Sequence, residues 1–135
     1  MSRTKADFRA LRELLGLTQQ DVADAAGVNV STAKRWEKPG YFTPPDDVWA
    51  WLEDCERLHG EVVDAAVSAA VARGRGPVQI TYYRSQDQYD DLGCDQGPYG
   101  VANANARMVA SRLRALGYEV DFAYPDDAGN AYHGT

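Results

Sequence analysis

The sequence predicts a mainly α fold with three short N-terminal helices, one long connecting helix and a small α+β unit near the C-terminal end. Glycines divide the first 45 residues into three short segments whose apolar residues recur at helical spacing. A stretch from residue 46 to about residue 73 keeps apolar residues at heptad spacing. Two later segments alternate apolar and polar residues, as half-buried strands do.

The charge of the chain is unevenly distributed. Residues 1–45 hold seven Lys and Arg against five acids, which gives +2. The remaining residues hold seven against fifteen, which gives −8, and the two parts add to the net charge of −6. We therefore expect a polyanionic partner, if there is one, to meet the N-terminal part.

Composition also indicates the compartment. No run approaches the roughly 18 consecutive apolar residues of a membrane span, and the N-terminus leads into an amphipathic segment rather than a signal-peptide core. The two cysteines, Cys55 and Cys94, have no motif spacing around them. These features predict a cytoplasmic protein with reduced thiols and no membrane partner.

The first 45 residues predict three helices. The first runs from Lys5 to Leu15 and ends at Gly16. The second runs from Gln19 to Ala25, with Thr18 and Asp21 spaced as a capping box. The third runs from about Asn29 to Glu37 and stops at residues 38–40, which read KPG. The side chains expected inward are Phe8, Leu11, Leu14, Leu15, Val22, Ala23, Ala26 and Trp36.

The second and third helices are joined through Gly27, which can adopt a positive φ at little cost. Two short helices joined by such a turn form a helix-turn-helix, and Ala23 is small enough to let them approach closely. This pattern predicts a DNA-binding domain over residues 1–45.

Residues 17–37 read LTQQDVADAAGVNVSTAKRWE and resemble the Cro/CI-type (XRE-like, lambda-repressor-like) helix-turn-helix family. The resemblance implies a lambda-repressor-like helical bundle that binds double-stranded DNA and inserts its third helix into the major groove. It also implies a structural pairing of Arg12 with Glu37. The implied DNA contacts are a phosphate contact at Gln19, base-reading positions at Asn29, Val30, Ser31 and Thr32, a later reading position at Arg35, and Lys34 near the DNA backbone.

Residues 46–73 predict one long helix that serves dimerisation or docking. Its apolar stripe has two open interpretations, because it can pack on the C-terminal segment or on a second copy of the chain. The residues expected to dimerise are Trp51, Cys55, Leu58 and Val62. The full stripe at heptad spacing is Val48, Trp51, Cys55, Leu58, Val62, Ala65 and Ala69, widened by Leu52 and Ala66.

Residues 78–124 predict a small strand-helix-strand unit, followed by a polar tail over residues 125–135. The expected elements are a strand at 78–84, a loop at 85–100, a helix at 102–116 and a strand at 119–124. The order of elements is also similar to that of uncharacterised YdiL-like bacterial helix-turn-helix proteins. The side chains expected inward on the helix are Val101, Ala104, Met108, Val109, Leu113 and Leu116.

The sequence indicates no catalytic residues, no metal and no cofactor. Cys55 and His59 are four residues apart on one helix, but two ligands do not make a zinc site. His133 has no nucleophile that the sequence pairs with it. Aromatic and arginine residues of the second half have two interpretations, since they can stack on a ligand or cover a half-buried sheet. They are Tyr82, Tyr83, Arg84, Tyr89 and Tyr99.

The preferred hypothesis is a sequence-specific transcriptional regulator, of the repressor type and from a bacterium or prophage, that binds DNA as a homodimer. An alternative is an antitoxin-like module whose acidic C-terminal half binds a partner protein, which the −8 charge of that half motivates. An enzyme carrying a helix-turn-helix ranks last, because no catalytic residues support it.

Overall fold

The computed structural model describes residues 3–92 and 95–126, so Cys94 and His133 lie outside the described residues. The predicted fold class is confirmed: the fold is mainly helical, with the helix-turn-helix first, then a long helix, then a small strand unit. The chain divides into two compact units, residues 1–59 and 60–135, and the division falls inside the long helix. Within the described ranges, no helix is both long and apolar enough to cross a membrane.

The first unit contains α1 (Lys5–Leu14), α2 (Gln19–Ala26), α3 (Val30–Trp36) and the first part of α4 (Asp46–Arg73). These bounds agree with the predicted ones to within one or two residues. The core side chains come from all four helices, and the ring of Phe8 meets that of Trp49 edge-on at 5.1 Å between centroids. The buried apolar residues are Phe8, Leu15, Leu17, Val22, Ala23, Ala33, Trp36, Val48, Trp49 and Leu52.

Leu14 does not join this core, contrary to the prediction, and is exposed. At 3.6 residues per turn, Leu14 is rotated about 240° from Phe8, which points it away from the core. Leu15, at the C-cap of α1, occupies the inward position instead.

α4 covers the predicted residues, Asp46–Arg73, but it buries only part of the predicted stripe, namely Val48 and the neighbouring Leu52, with Ala66 partly buried. Trp51 and Cys55 are only half-buried, and Leu58 and Val62 are 56% and 43% exposed. A straight helix drifts by about 20° per heptad from a 3.5-residue repeat, so a strict heptad stripe and the buried face separate along its length. The residues of α4 that are buried are Val48, Trp49, Leu52, His59, Val63, Val67 and Ala70.

The second unit contains the C-terminal part of α4, β1 (Val78–Thr81), α5 (Gln86–Asp91), α6 (Tyr99–Ala115) and β2 (Val120–Ala123). β1 and β2 pair in parallel, with Val78 opposite Val120 and Thr81 opposite Ala123. A parallel pair needs a long crossover, which α5 and α6 provide. The core of this unit consists of Val63, Val67, Ala70, Val78, Val109, Ala110, Leu113, Tyr118 and Val120.

Val63, Val67 and Ala70 are the α4 residues in this core. α4 therefore packs on the C-terminal segment, which was one of the two interpretations. The face with which it packs lies beside the predicted stripe. Ala65 and Ala69, which belong to the stripe, are exposed. Packing on a second copy is the remaining interpretation of the stripe.

The predicted loop at residues 85–100 is wrong in part, because it contains α5. The Ser85 hydroxyl accepts a hydrogen bond from the backbone N–H of Gln88 at 3.2 Å and caps this helix. Tyr89 is the buried side chain of α5, and its ring meets that of Tyr83 edge-on at 4.8 Å. A six-residue helix with one inward side chain has no apolar period to detect.

α6 begins three residues earlier than predicted and ends one residue earlier, at Ala115. Leu116 is its C-cap and is exposed, contrary to the prediction, while Gly117 has φ 91° and ends the helix as expected. Both strands are four residues long and shorter than predicted. The buried Asn103 donates to the carbonyl oxygen of Tyr83 at 2.8 Å and accepts from its N–H at 2.9 Å.

Candidate nucleic-acid interface

The turn between α2 and α3 is built from local interactions. The Thr18 hydroxyl accepts from the N–H of Asp21 at 3.0 Å, and the Asp21 carboxylate accepts from the N–H of Thr18 at 2.8 Å. This confirms the predicted capping box. Gly27 ends α2 with φ 68° and ψ 34°, the left-handed conformation that a side chain disfavours. Asn29 is the N-cap of α3, but its side chain makes no capping hydrogen bond.

A buried ion pair fixes the inner side of this domain. The guanidinium of Arg12 donates from Nε to Glu37 Oε2 at 2.6 Å and from Nη2 to Glu37 Oε1 at 3.0 Å. The two side chains are 10% and 4% exposed. Arg12 also donates to the carbonyl oxygen of Leu17 at 2.9 Å, and Gln19 donates to Glu37 Oε1 at 3.2 Å. The pairing implied by the family resemblance is therefore confirmed.

We call these residues the Arg12–Glu37 cluster. It connects α1, the start of α2 and the C-cap of α3, so it fixes the orientation of α3 against the other two helices. Burying two charges costs about as much free energy as their attraction returns, so such a cluster contributes a defined geometry more than net stability. A fixed orientation is what a helix that reads base edges requires.

Gln19, for which a phosphate contact is predicted, is also a member of the Arg12–Glu37 cluster. Its side chain is half-buried, and its amide nitrogen donates to Glu37. That hydrogen bond holds the amide at the N-terminal end of α2, where backbone N–H groups and the helix dipole favour an anion. The phosphate contact itself stays a prediction.

Ala33 and Trp36 are the buried side chains of α3, and none of the six predicted DNA-contacting side chains at positions 29–32, 34 and 35 is buried. No acidic residue lies within α3. Asn29, Ser31, Lys34 and Arg35 are exposed, and Val30 and Thr32 are half-buried. We call these six residues the reading face.

Sequence reasoning missed two contacts that shape the end of α3. The ammonium of Lys5 donates to the carbonyl oxygens of Arg35 and Trp36 at 3.0 Å each and of Phe42 at 2.7 Å. A cation at this end satisfies carbonyl groups that have no partner within the helix. The guanidinium of Arg35 also lies over the ring of Tyr41, 5.6 Å from its centroid. The Lys5 contact leaves no sequence signal, because its partners are backbone atoms 30 or more residues away.

Other chemistry has little support in this structure. Within residues 3–92 and 95–126, no group of three or more His, Cys, Asp or Glu side chains is arranged to hold a metal ion. His59, one of the two residues considered for a zinc site, is a buried side chain of α4. Burial raises the pKa of the Cys55 thiol, and the negative charge of Asp54 raises it further. A protonated thiol is a poor nucleophile.

Two short helices, a glycine turn and an outward reading face define a DNA-binding helix-turn-helix of the kind found in regulators. Comparison with protein families agrees, since the family model described as Helix-turn-helix matches residues 8–41. This match confirms the Cro/CI-type resemblance for that segment. No curated protein matches the chain.

Proposed function

We propose that this protein is a sequence-specific DNA-binding regulator of the repressor type that reads the major groove with α3. The observation that carries the proposal is the reading face, which presents six predicted contact residues outward from a helix held on its inner side by the Arg12–Glu37 cluster. The family match over residues 8–41 supports the DNA-binding part. A helix of this size fits the roughly 12 Å wide major groove.

Each residue of the proposed interface has a chemical role. The guanidinium of Arg35 can donate two hydrogen bonds to O6 and N7 of a guanine, a contact worth about 1–3 kcal/mol of discrimination. Val30 offers methyl groups to a thymine methyl, and Lys34 and Gln19 offer donors to phosphates. Asn29, Ser31 and Thr32 supply short polar side chains at the start of α3, where base edges come closest.

We further propose that the protein binds DNA as a homodimer through α4. One small helix-turn-helix makes few base contacts, and dimers of this class read two half-sites one helical turn apart. Four apolar residues at helical spacing on α4, which we call the α4 stripe, support a contact with a second copy. They are Trp51, Cys55, Leu58 and Val62, and the latter two are the most exposed.

The surroundings of Val62 and the chemistry of Cys55 also support the proposal that the α4 stripe contacts a second copy. In the second unit, Val62 lines an open groove of about 430 Å³ together with Ala66 and Ala70. Small side chains of this kind permit a close approach of another helix. Because its pKa is raised, the Cys55 thiol stays neutral and behaves as a small apolar group at neutral pH.

The test is fluorescence anisotropy of wild type and Arg35→Ala on two duplexes, the DNA upstream of the gene and a scrambled sequence, over a salt series. We expect wild type to prefer the upstream DNA and Arg35→Ala to lose about 1–3 kcal/mol of that preference. Arg9→Ala is the matched control, because Arg9 is an exposed arginine of α1 outside the reading face.

Each outcome bears on a different part of the proposal. Equal, steeply salt-dependent binding of both duplexes would show phosphate attraction without sequence reading. An equal loss in Arg9→Ala and Arg35→Ala would show that only net charge matters. No binding at low salt would contradict the proposal and favour the partner-protein alternative, for which the exposed carboxylates of Asp87, Asp90 and Asp91 on α5 are the natural surface.

A further inference from the structure

The second unit contains a cavity whose lining combines aromatic rings with a guanidinium. It has a volume of about 400 Å³, within the range of small-molecule sites, and opens to solvent. We call it the aromatic–arginine cavity, and its lining residues are Tyr82, Arg107, Phe122, Ala123 and Tyr124.

The rings come from the ends of the two strands. Tyr82 continues β1 by donating its N–H to the carbonyl oxygen of Ala123 at 2.9 Å. Its ring meets that of Phe122 edge-on, with centroids 5.2 Å apart. A guanidinium already lies over each of the other two rings, that of Arg114 at 5.5 Å from the Phe122 centroid and that of Arg84 at 5.6 Å from the Tyr124 centroid. Phe122 and Tyr124 nevertheless keep 37% and 38% of their surface exposed, and both line the cavity.

The polar groups of the cavity are donors. Arg107, on α6, donates from Nη1 to the Tyr82 hydroxyl at 2.7 Å. Because that hydroxyl oxygen accepts from Arg107, its own proton points elsewhere and can be donated to a ligand. The other guanidinium N–H groups of Arg107 lie beside it, so two donor groups are adjacent at one wall.

The lining of this cavity differs in charge from the rest of its unit. Residues 60–126 hold nine acids against six arginines, yet no carboxylate lines the cavity. Among the described residues, Arg84 and Arg112 of this unit form ion pairs with Asp126 and Asp64, whereas none of the ion pairs involves Arg107. The cavity is therefore a locally cationic and aromatic site in an acidic unit.

We propose that the aromatic–arginine cavity binds a mononucleotide. A nucleotide has a planar base that can stack on Phe122 or Tyr124 and a phosphate that can accept from Arg107 and Tyr82. Base–aromatic stacking and bidentate guanidinium–phosphate contacts are the two interactions that such a lining favours. This site is separate from the reading face, and its ligand does not depend on the DNA-binding function.

The test is isothermal titration calorimetry of the full-length protein with adenosine 5′-monophosphate, adenosine and inorganic phosphate. We expect the nucleotide to bind more tightly than either part, because each part keeps only one of the two interactions. Arg107→Gln should weaken nucleotide binding by about tenfold or more, since it removes a charge-assisted hydrogen bond.

Arg112→Gln is the matched control, because it removes the same charge from the same helix outside the cavity. Arg107 and Arg112 are both exposed, so neither variant removes core packing. Unchanged affinity in Arg112→Gln together with the loss in Arg107→Gln would support the site. No nucleotide binding at millimolar concentration, equal binding of phosphate and nucleotide, or equal losses in the two variants would overturn it.

Discussion

At the scale of single residues, Tyr41 determines how Arg35 is presented. An exposed arginine samples many rotamers, and ordering it at an interface costs free energy. The ring of Tyr41 lies under its guanidinium, and Lys5 fixes the backbone on both sides by holding the carbonyl oxygens of Arg35 and Phe42. If Arg35 reads a base as we propose, these contacts lower the free energy needed to order its side chain on DNA.

We expect Tyr41→Ala to reduce the preference for the upstream DNA by about two- to fivefold, the equivalent of an exposed cation–π contact of 0.5–1 kcal/mol. Tyr41→Phe should retain the preference because it keeps the ring. The measurement is the anisotropy ratio between upstream and scrambled duplexes.

Phe42→Ala is the control for Tyr41→Ala, since Phe42 is the adjacent exposed aromatic, whereas the ring that lies under the Arg35 guanidinium is that of Tyr41. A loss of equal size on both duplexes, or a Tyr41→Phe variant as weak as Tyr41→Ala, would contradict the positioning role.

Residue-scale predictions succeeded where the interaction is local in sequence or belongs to the family pattern. The capping box of Thr18 and Asp21 spans three residues, and the pairing of Arg12 with Glu37 came from the resemblance. Lys5 was missed because its partners are backbone carbonyl oxygens brought near only by folding.

At the scale of elements, the turn between α2 and α3 depends on the backbone conformation of Gly27. Its φ of 68° lies in the left-handed region, which costs an ordinary residue about 1–2 kcal/mol. A Cβ placed there would meet no atom within 4 Å, so the cost of a side chain is conformational rather than steric.

We expect Gly27→Ala to lower the free energy of unfolding of the first unit by about 1–2 kcal/mol. Gly27→Asn should cost less, because asparagine tolerates this conformation better than alanine. Urea denaturation followed by tryptophan fluorescence measures this directly, since all three tryptophans, at 36, 49 and 51, lie in residues 1–59. Equal midpoints for wild type and Gly27→Ala would show that the turn does not need this conformation.

The sequence predicted which elements exist more accurately than it predicted which of their faces are buried. The bounds of α4 were correct because a long apolar period and flanking prolines and glycine mark them. Its buried face was predicted correctly only at Val48 and Leu52, because α4 has apolar residues on two adjacent faces, and only tertiary contacts decide which of them is covered. α5 was missed because one buried ring, Tyr89, gives no period.

At the scale of the whole molecule, the exposed face of α4 leads to a prediction about assembly. Leu58 is 56% exposed, so Leu58→Asp adds a charge to the α4 stripe without entering the core. At tens of micromolar we expect wild type to be dimeric and this variant to be monomeric, and we expect the variant to lose affinity for a two-half-site duplex. Multi-angle light scattering and anisotropy measure the two effects.

The control for assembly is Val71→Asp, because Val71 is a similarly exposed apolar residue of the same helix outside the α4 stripe. A wild-type protein that remains a monomer at this concentration, both free and on DNA, would rule out the homodimer. Equal effects of the two substitutions would show that added charge, rather than the α4 stripe, controls assembly.

The position of the Arg12–Glu37 cluster has a consequence for how such a protein acquires new targets. The cluster anchors the inner side of α3, while Ser31 and Arg35, two proposed base-reading positions, are exposed. We therefore expect substitutions at these two positions to change the preferred operator sequence without altering the packing that holds α3. In a lineage of duplicated copies, recognition can diverge rapidly while the scaffold stays under selection for folding.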